Sequence, residues 1–417
     1  MKAHYDVVIM GAGMVGSSLA IALLDHAKAL NLNIALIEPH TLPTLSNLAD
    51  YQSSFDSRAT ALAYGSAKIF QQLSVWQQLQ QHVQAIEHIH VSDKGHFGAA
   101  RLNAQQENVE ALGYVVENKW LGEVLYAHIN QHPNRESLDF CQPATVTKVV
   151  RNAGKTQLQI TTAQLDENIT TDLLVMADGG RSSIRESLGI EYTEHDYEQC
   201  ALICNIALDR GHKNIAYERF TDTGPIAVLP LLNQGKQNRS GLIWTIPESE
   251  ITAMLALDKH TFISALQQRF GYRAGRIIGV GERYSYPLKL QSVKEQVRSG
   301  IVVIGNAAHT LHPIAGQGFN LALRGVAALA EHLIAASRKG QNLGDYTILD
   351  GYLQARSVDQ KATIGFSDVS MRMFSNAHPV QALIRDIGLQ GLDVCPSAKT
   401  VFSRMAMGLA SPMSNLK

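Results

Sequence analysis

The stretch YDVVIMGAGMVG near the start leaves the chain little freedom in how it begins. YDVVIM is a short apolar, β-branched run, and Gly11, Gly13 and Gly16 follow it at once. SSLAIALLDHAKALN then repeats apolar residues at helical spacing, and NIALIE reads as a second buried strand ending in Glu38. The order is strand, tight glycine turn, helix, strand, with an acid about 20 residues past the last glycine, which is the βαβ fingerprint of dinucleotide binding. The three glycines act differently. The first permits the turn, the second lets backbone approach a pyrophosphate, and the third lets helix and strand pack closely. The helix N-terminus then faces the phosphates. Glu38 can accept both hydroxyls of a ribose and would repel a 2′-phosphate, which favours FAD or NAD.

The rest of the chain narrows the choice. Two further strand-to-glycine segments lie far downstream: DLLVMADGGRSSIRESLGI around Asp178 and Gly179, and GIVVIGNAAHTLHPIAGQGFNLALRG from Gly300. A separate NAD(P) domain would carry its own fingerprint. The nearest candidate, GVGERY, has Tyr284 where the third glycine belongs, so one Rossmann site is expected. Residues 195–247 change character, with QCALICNIAL, IAYERFT, GPIAVLPLL and SGLIWTIP as short apolar or alternating runs between turns. They read as a sheet that roofs the cofactor, with GPIAVLPL lining an apolar pocket.

With 417 residues, 45% of them hydrophobic, the chain can bury a large core in two interlocked domains with a helical tail. A net charge of −1 without like-charge blocks argues against nucleic acid. Cys141, Cys200, Cys204 and Cys395 form no CxxC pair, no basic leader precedes the first strand, and no run of about 18 apolar residues appears. A soluble protein of the reducing cytoplasm is expected, with no metal cluster.

The ordered trio of GxGxxG with Glu38, ADGGRSSIR, and GNAAHTLHPIAGQGFNLALRG resembles the class A FAD-dependent aromatic hydroxylases, the p-hydroxybenzoate hydroxylase-like group. Within it the chain most resembles the ubiquinone-biosynthesis hydroxylases, in particular the 2-octaprenyl-6-methoxyphenol hydroxylase branch, whose members often carry GN where relatives carry GD. FDSRATALAYGS, MRMFSN and MAMGLASP extend the similarity through nearly the whole chain. The expected fold is α/β: a Rossmann-like FAD-binding domain with a mixed sheet, interleaved with a β-sheet substrate domain and followed by a helical C-terminal region. The boundaries are 1–75, 100–190 and 280–340 for FAD, 76–99 and 191–279 for substrate, and 341–417 for the helices.

The resemblance also implies site residues. Gly11, Gly13, Gly16 and Glu38 hold the ADP half of FAD, and Arg58 sets a cation near flavin or pyrophosphate. Asp178 and Gly179 match the DG motif tied to FAD and to the transient visit of NAD(P)H, with Arg181 a candidate phosphate contact. Gly305 and Asn306 match the GD motif, with an amide replacing the acid that meets the ribityl or ribose. Asn118 stands where many relatives have arginine, and its amide can still hydrogen-bond the cofactor. His309 packs beside the cofactor, and Gly316, Gly318 and Asn320 open the helix whose backbone faces the flavin. No side chain is assigned the chemistry outright; His312, Pro313 and Gly316 are the candidates on the reacting side.

The reaction implied is hydroxylation of a polyprenyl phenol in ubiquinone biosynthesis with NAD(P)H and O2, through a C4a-hydroperoxyflavin. Contact with other ubiquinone-biosynthesis proteins, peripheral contact with the inner membrane and a homo-oligomeric state are compatible with it. A flavin reductase or dehydrogenase of a lipid or aromatic, and a non-catalytic FAD-binding subunit, stay open at this point. LIWTIP falls short of the WxWxIP signature of flavin halogenases because Leu242 replaces the first tryptophan.

Overall fold

Strand His4–Met10 is buried along most of its length because it runs in the middle of a parallel array. It pairs with Ile34–Ile37 on one side and Asp166–Met176 on the other. The computed structural model describes residues 1–41, 58–96, 98–152, 154–163, 165–311, 316–374, 388, 390, 391 and 394–416. Across this sheet the order is Val297–Arg298, Ile301–Val303, Asp166–Met176, His4–Met10, Ile34–Ile37 and Leu138–Cys141, and the hairpin Ala144–Asn152 with Lys155–Thr162 joins Asp166–Met176. Register fixes what matters for the site: Met10 stands opposite Met176, and Met176 opposite Val303. Three parallel strands thus end at one edge, and the three glycine segments that follow them emerge side by side, at the carboxyl ends where open α/β sheets bind ligands.

Both faces of this sheet are covered. Helix Met14–Leu30, with Asn118–Gln131 and Gln317–Arg338, packs on one face, where Ile9, Leu19, Leu23, Val175, Leu323 and Leu329 are fully buried. Each such side chain contributes about 1.5–3 kcal/mol of burial. Tyr5, Val8, Leu158, Ile160 and Leu174 form the core of the other face.

The second sheet is ordered His309–Thr310, Tyr284–Val293, Tyr192–Leu208, Asn238–Pro247, Gly224–Pro230, Ile215–Thr221, His88–Asp93 and Ala99–Asn103, with Ile277–Val280 also on Tyr192–Leu208. Its continuous apolar runs, as at 200–208 and 224–230, fall where both faces are covered, whereas 192–196 is exposed. Leu202, Cys204, Ile226, Val228, Leu242 and Trp244 point to helices Glu248–Ala256 and Lys259–Phe270, where Phe262 and Leu266 meet them. The alternating residues Ala201, Ile203, Ala227, Leu229 and Ile243 point the other way, into a cavity. A small sheet of Val83–Ile86, Gly113–Glu117 and Ala59–Ala63 joins the two halves.

The helix Gln317–Arg338 is long and apolar enough to cross a membrane by length and composition, although the sequence shows no unbroken apolar run of that length. Its apolar residues are spent inside the fold: Leu321, Leu323, Val326, Leu329 and Leu333 are buried. Tyr346–Phe374 packs along it and is held by a buried charge cluster. Arg324 donates to Asp359 through Nε at 2.8 Å and Nη2 at 3.2 Å, and Arg356 reaches the same carboxylate. After helix Pro396–Ala406 the chain returns to the amino-terminal half, where Gly65 N–H donates to the Met407 carbonyl.

Candidate functional site

The first turn cannot be built with side chains. Gly11 has φ +102°, and a Cβ there would lie 2.7 Å from the Ala177 carbonyl oxygen, on the adjoining glycine segment. A Cβ on Gly16 would lie 1.9 Å from the Gly11 oxygen. Gly11 therefore lets the first two segments touch, and Gly16 lets helix Met14–Leu30 start directly against the turn. Gly305, at φ +65°, brings the third segment against Val15, 3.1 Å from where its Cβ would be. Gly16 and Gly305 thus shape the site from behind, whereas Gly11 and Gly13 line the cavity itself.

That cavity has a volume of about 1390 Å³, above the roughly 300–1,000 Å³ of ordinary small-ligand pockets. Glu38 is buried in its wall and accepts from Ala12 N–H at 2.9 Å and His40 N–H at 3.2 Å. Each carboxylate oxygen keeps lone-pair capacity for a diol. Asp178 accepts from Gly180 N–H at 3.1 Å and Ser182 N–H at 3.0 Å, which folds the second turn around its own carboxylate. Gly179 lines the cavity at φ +71°, and Arg181 lines it from an exposed position. Arg58 lies over the Tyr286 ring, 4.5 Å from its centroid, with both at the cavity wall. Asn118 Oδ1 accepts from the Thr60 hydroxyl at 2.6 Å, which fixes the side-chain amide at the wall. Asn306 is exposed to the same space.

Two helix N-termini open on the cavity. Met14–Leu30 begins at Gly13 and Gln317–Arg338 at Gly316, neither has a side-chain cap, and neither carries an acid in its first turn. Their leading N–H groups and positive dipole ends are left for an anion or an electron-poor ring. Gly316 takes φ +61° against Ala61, and Gly318 leaves open space where a side chain would stand. Asn320 also reaches the cavity, yet its amide is spent on protein: Oδ1 accepts from Ala63 N–H at 2.8 Å and the Ser66 hydroxyl at 2.7 Å, and Nδ2 donates to the Ala61 and Gly316 carbonyls at 2.8 and 2.7 Å. Four bonds exhaust a carboxamide. Asn320 therefore positions the Gly316 turn.

His309 faces away from this cavity, bonding Ser292 Oγ through Nδ1 at 2.8 Å and lining a small separate gap with Gln296 and Tyr352. Burial pushes its imidazole down to about 4, so it stays neutral at physiological pH. His312 and Pro313 lie outside the described residues.

The far end of the cavity is apolar. Val91, Ile203, Ala227, Leu229 and Ile243 come from the second sheet, and Phe366, Val369 and Phe402 from the C-terminal helices. One group there escapes a reading of the sequence: Glu218, in IAYERFT, lines the cavity, and burial pushes its carboxyl up to about 7. Its only trace in the sequence is its phase, since it alternates with Ala216 and Phe220 on the face opposite Tyr217.

The residues present fit FAD. Gly11 and Gly13 line the phosphate approach, Glu38 suits an adenosine ribose, and two uncapped helix starts face one space large enough for a dinucleotide and a second ring. Comparison with known proteins agrees. The family described as FAD binding domain matches residues 4–367. Ubiquinone hydroxylase UbiL of Rhodospirillum rubrum is 33% identical over 408 residues, covering 97% of this chain and 89% of that protein. The human mitochondrial ubiquinone biosynthesis monooxygenase COQ6 is 25% identical over 438 residues, covering 95% and 91%. The crystal structure of p-nitrophenol 4-monooxygenase PnpA from Pseudomonas putida DLL-E4 superposes with a TM-score of 0.78 at 16% identity, over 99% of each chain, a likeness of fold.

Proposed function

The chain belongs to the FAD binding domain family, and on that premise we propose that it is an aromatic-ring monooxygenase that hydroxylates a polyprenyl phenol precursor of ubiquinone with NAD(P)H and O2. The reading takes 2-polyprenyl-6-methoxyphenol as the substrate class. One observation carries it: a single cavity runs from the glycine-lined edge of the first sheet to an apolar chamber under the second. The names of the relatives, ubiquinone hydroxylase and ubiquinone biosynthesis monooxygenase, support the substrate class.

Bound FAD supplies the redox chemistry, accepting electrons from NAD(P)H and activating O2. The chain supplies the rest. Gly11, Gly13 and the start of Met14–Leu30 receive the diphosphate, Glu38 the adenosine ribose, and Asn306 the ribityl or ribose as a hydrogen-bonding amide. The start of Gln317–Arg338, held by Asn320, would offer its free backbone N–H groups to the flavin as hydrogen-bond donors. Val91, Ile203, Ala227 and Ile243 exclude water from the phenol ring. Phe366, Val369 and Phe402 give an isoprenoid chain an apolar way out between the C-terminal helices. Val369 is also 54% exposed, so this wall reaches the surface, as a membrane-borne tail requires. The working place on this reading is the cytoplasmic surface of the inner membrane.

The test is direct. The purified chain should release FAD on denaturation, and a prenylated methoxyphenol should stimulate both NAD(P)H oxidation and O2 uptake. Phenol-stimulated NAD(P)H oxidation without O2 uptake would assign a reductase instead, and stimulation of neither would leave only an FAD-binding subunit.

A further inference from the structure

Strand Ile215–Thr221 sets a carboxyl in a wall that is otherwise apolar. Across the sheet Glu218 stands directly opposite Val91 and Ala227, and the same row continues through Ile243 to Ile203. All four line the cavity with it. The other titratable groups nearby are turned away or engaged elsewhere. Tyr217 also borders the cavity, but its ring packs against Phe270 and its hydroxyl donates to the Arg273 carbonyl at 3.3 Å, on the opposite side of the strand with Arg219, where Tyr217 faces His90 and His90 faces Arg101. Asp93 stands opposite Phe220, interacts with Arg219 and does not line the cavity. From the cofactor side the cavity presents Arg58 and Tyr286, which stack on each other. Burial pushes Glu218 up to about 7, with no charged group among the described residues contributing. An apolar residue in this row would stabilise the fold more than a half-buried acid with no partner among the described residues. The acid is therefore explained by what enters the cavity.

We propose that Glu218 is a catalytic residue that accepts the proton of the substrate's phenolic hydroxyl. The inference rests on the hydroxylase reading given above. In the step, a Glu218 carboxylate oxygen forms an O–H bond as the phenol O–H bond breaks, and the electron pair stays on the phenol oxygen. Nothing is oxidised or reduced. The phenolate pushes electron density onto its ring carbons, which makes them better nucleophiles for an electrophilic oxygen, and Glu218 returns the proton to solvent when the product leaves. An ordinary glutamate, at about 4.3, is some six units below a phenol at about 10; a carboxyl near 7 halves that gap.

The experiment uses the FAD-loaded full chain with 2-farnesyl-6-methoxyphenol as probe. Glu218→Gln keeps shape and a hydrogen bond but cannot take the proton. It should retain FAD and bind the probe within about threefold, seen as perturbation of the flavin absorbance. Product formation should fall about a hundredfold or more. The acid limb of kcat/KM near pH 7 should disappear, and Glu218→Asp should restore that limb together with part of the rate. Unchanged product formation and pH profile in Glu218→Gln would overturn the assignment. So would loss of FAD or of thermal stability in both variants, which would make Glu218 structural. A wild type that neither consumes NAD(P)H nor takes up O2 with the probe defeats the hydroxylase reading itself. A wild type that turns over normally, matched by Glu218→Gln, defeats only the role of Glu218.

Discussion

Asn320 offers the sharpest separation between holding the cofactor and holding the protein that holds it. Asn320→Ala removes four hydrogen bonds at once, to Ala63 N–H, the Ser66 hydroxyl, and the Ala61 and Gly316 carbonyls, all around a side chain that is 1% exposed. A net contribution of about 1 kcal/mol per bond gives a loss of about 4 kcal/mol, reduced to about 2–3 kcal/mol if water enters the space and serves some partners. The assay is urea unfolding of apoprotein and FAD-saturated protein side by side. Free FAD at a hundred times its Kd stabilises the native state by about 2.7 kcal/mol through mass action alone. The apoprotein of the variant should lose about 2–4 kcal/mol, because the bonds join strand Ala59–Ala63, helix Tyr64–Gln72 and the Gly316 turn whether or not FAD is bound. An apoprotein as stable as wild type, combined with a weakened FAD contribution, would refute the reasoning and make Asn320 a direct cofactor ligand.

Other perturbations follow from the same geometry. Gly16→Ala puts a methyl 1.9 Å from the Gly11 oxygen, so the helix must part from the turn, and the purified variant should carry little or no FAD by absorbance. Asp359→Asn removes the negative charge that two buried arginines share and should lower stability by about 3–5 kcal/mol in urea unfolding. Burial raises the Asp359 carboxyl but Arg324 and Arg356 outweigh it, leaving it below the usual range. Its stabilisation is thus complete above about pH 4 and is lost as pH falls through the lowered value, a limb that the asparagine variant should lack. His309 runs differently: its imidazole is held down to about 4, so the unfolded chain takes up a proton that the folded one refuses. Stability should fall by up to about 3 kcal/mol as pH drops from about 6.5 towards 4, and His309→Gln should flatten that slope.

The parts of the fold legible in the sequence are those with local causes. Gly11 and Gly16 announce a strand-turn-helix because only glycine meets the steric demand there, and the downstream strand-to-glycine segments repeat the logic. Their convergence is a matter of register, Met10 beside Met176 beside Val303, which no local pattern contains. Asn320 shows the limit plainly. An asparagine after a glycine-rich turn reads as a cofactor contact, and only the distant strand Ala59–Ala63 reveals that its amide is already saturated. The resemblance sets His309 beside the cofactor, yet its Nδ1 bonds Ser292 and it does not line the cavity. Glu218 is the converse case. A single acid in a strand normally marks a solvated face, and here both faces of the strand are enclosed, one by the helix-backed core and one by the cavity.

The central claim is that one oxygen atom of O2 is inserted into a phenol ring within this cavity. Mass spectrometry of the product formed from 2-farnesyl-6-methoxyphenol under isotopically heavy dioxygen tests it most directly. The account predicts one heavy oxygen in the new ring hydroxyl, with NAD(P)H consumed in step. A product whose added oxygen comes from water, or phenol-stimulated NAD(P)H consumption that leaves the ring unlabelled, would contradict it.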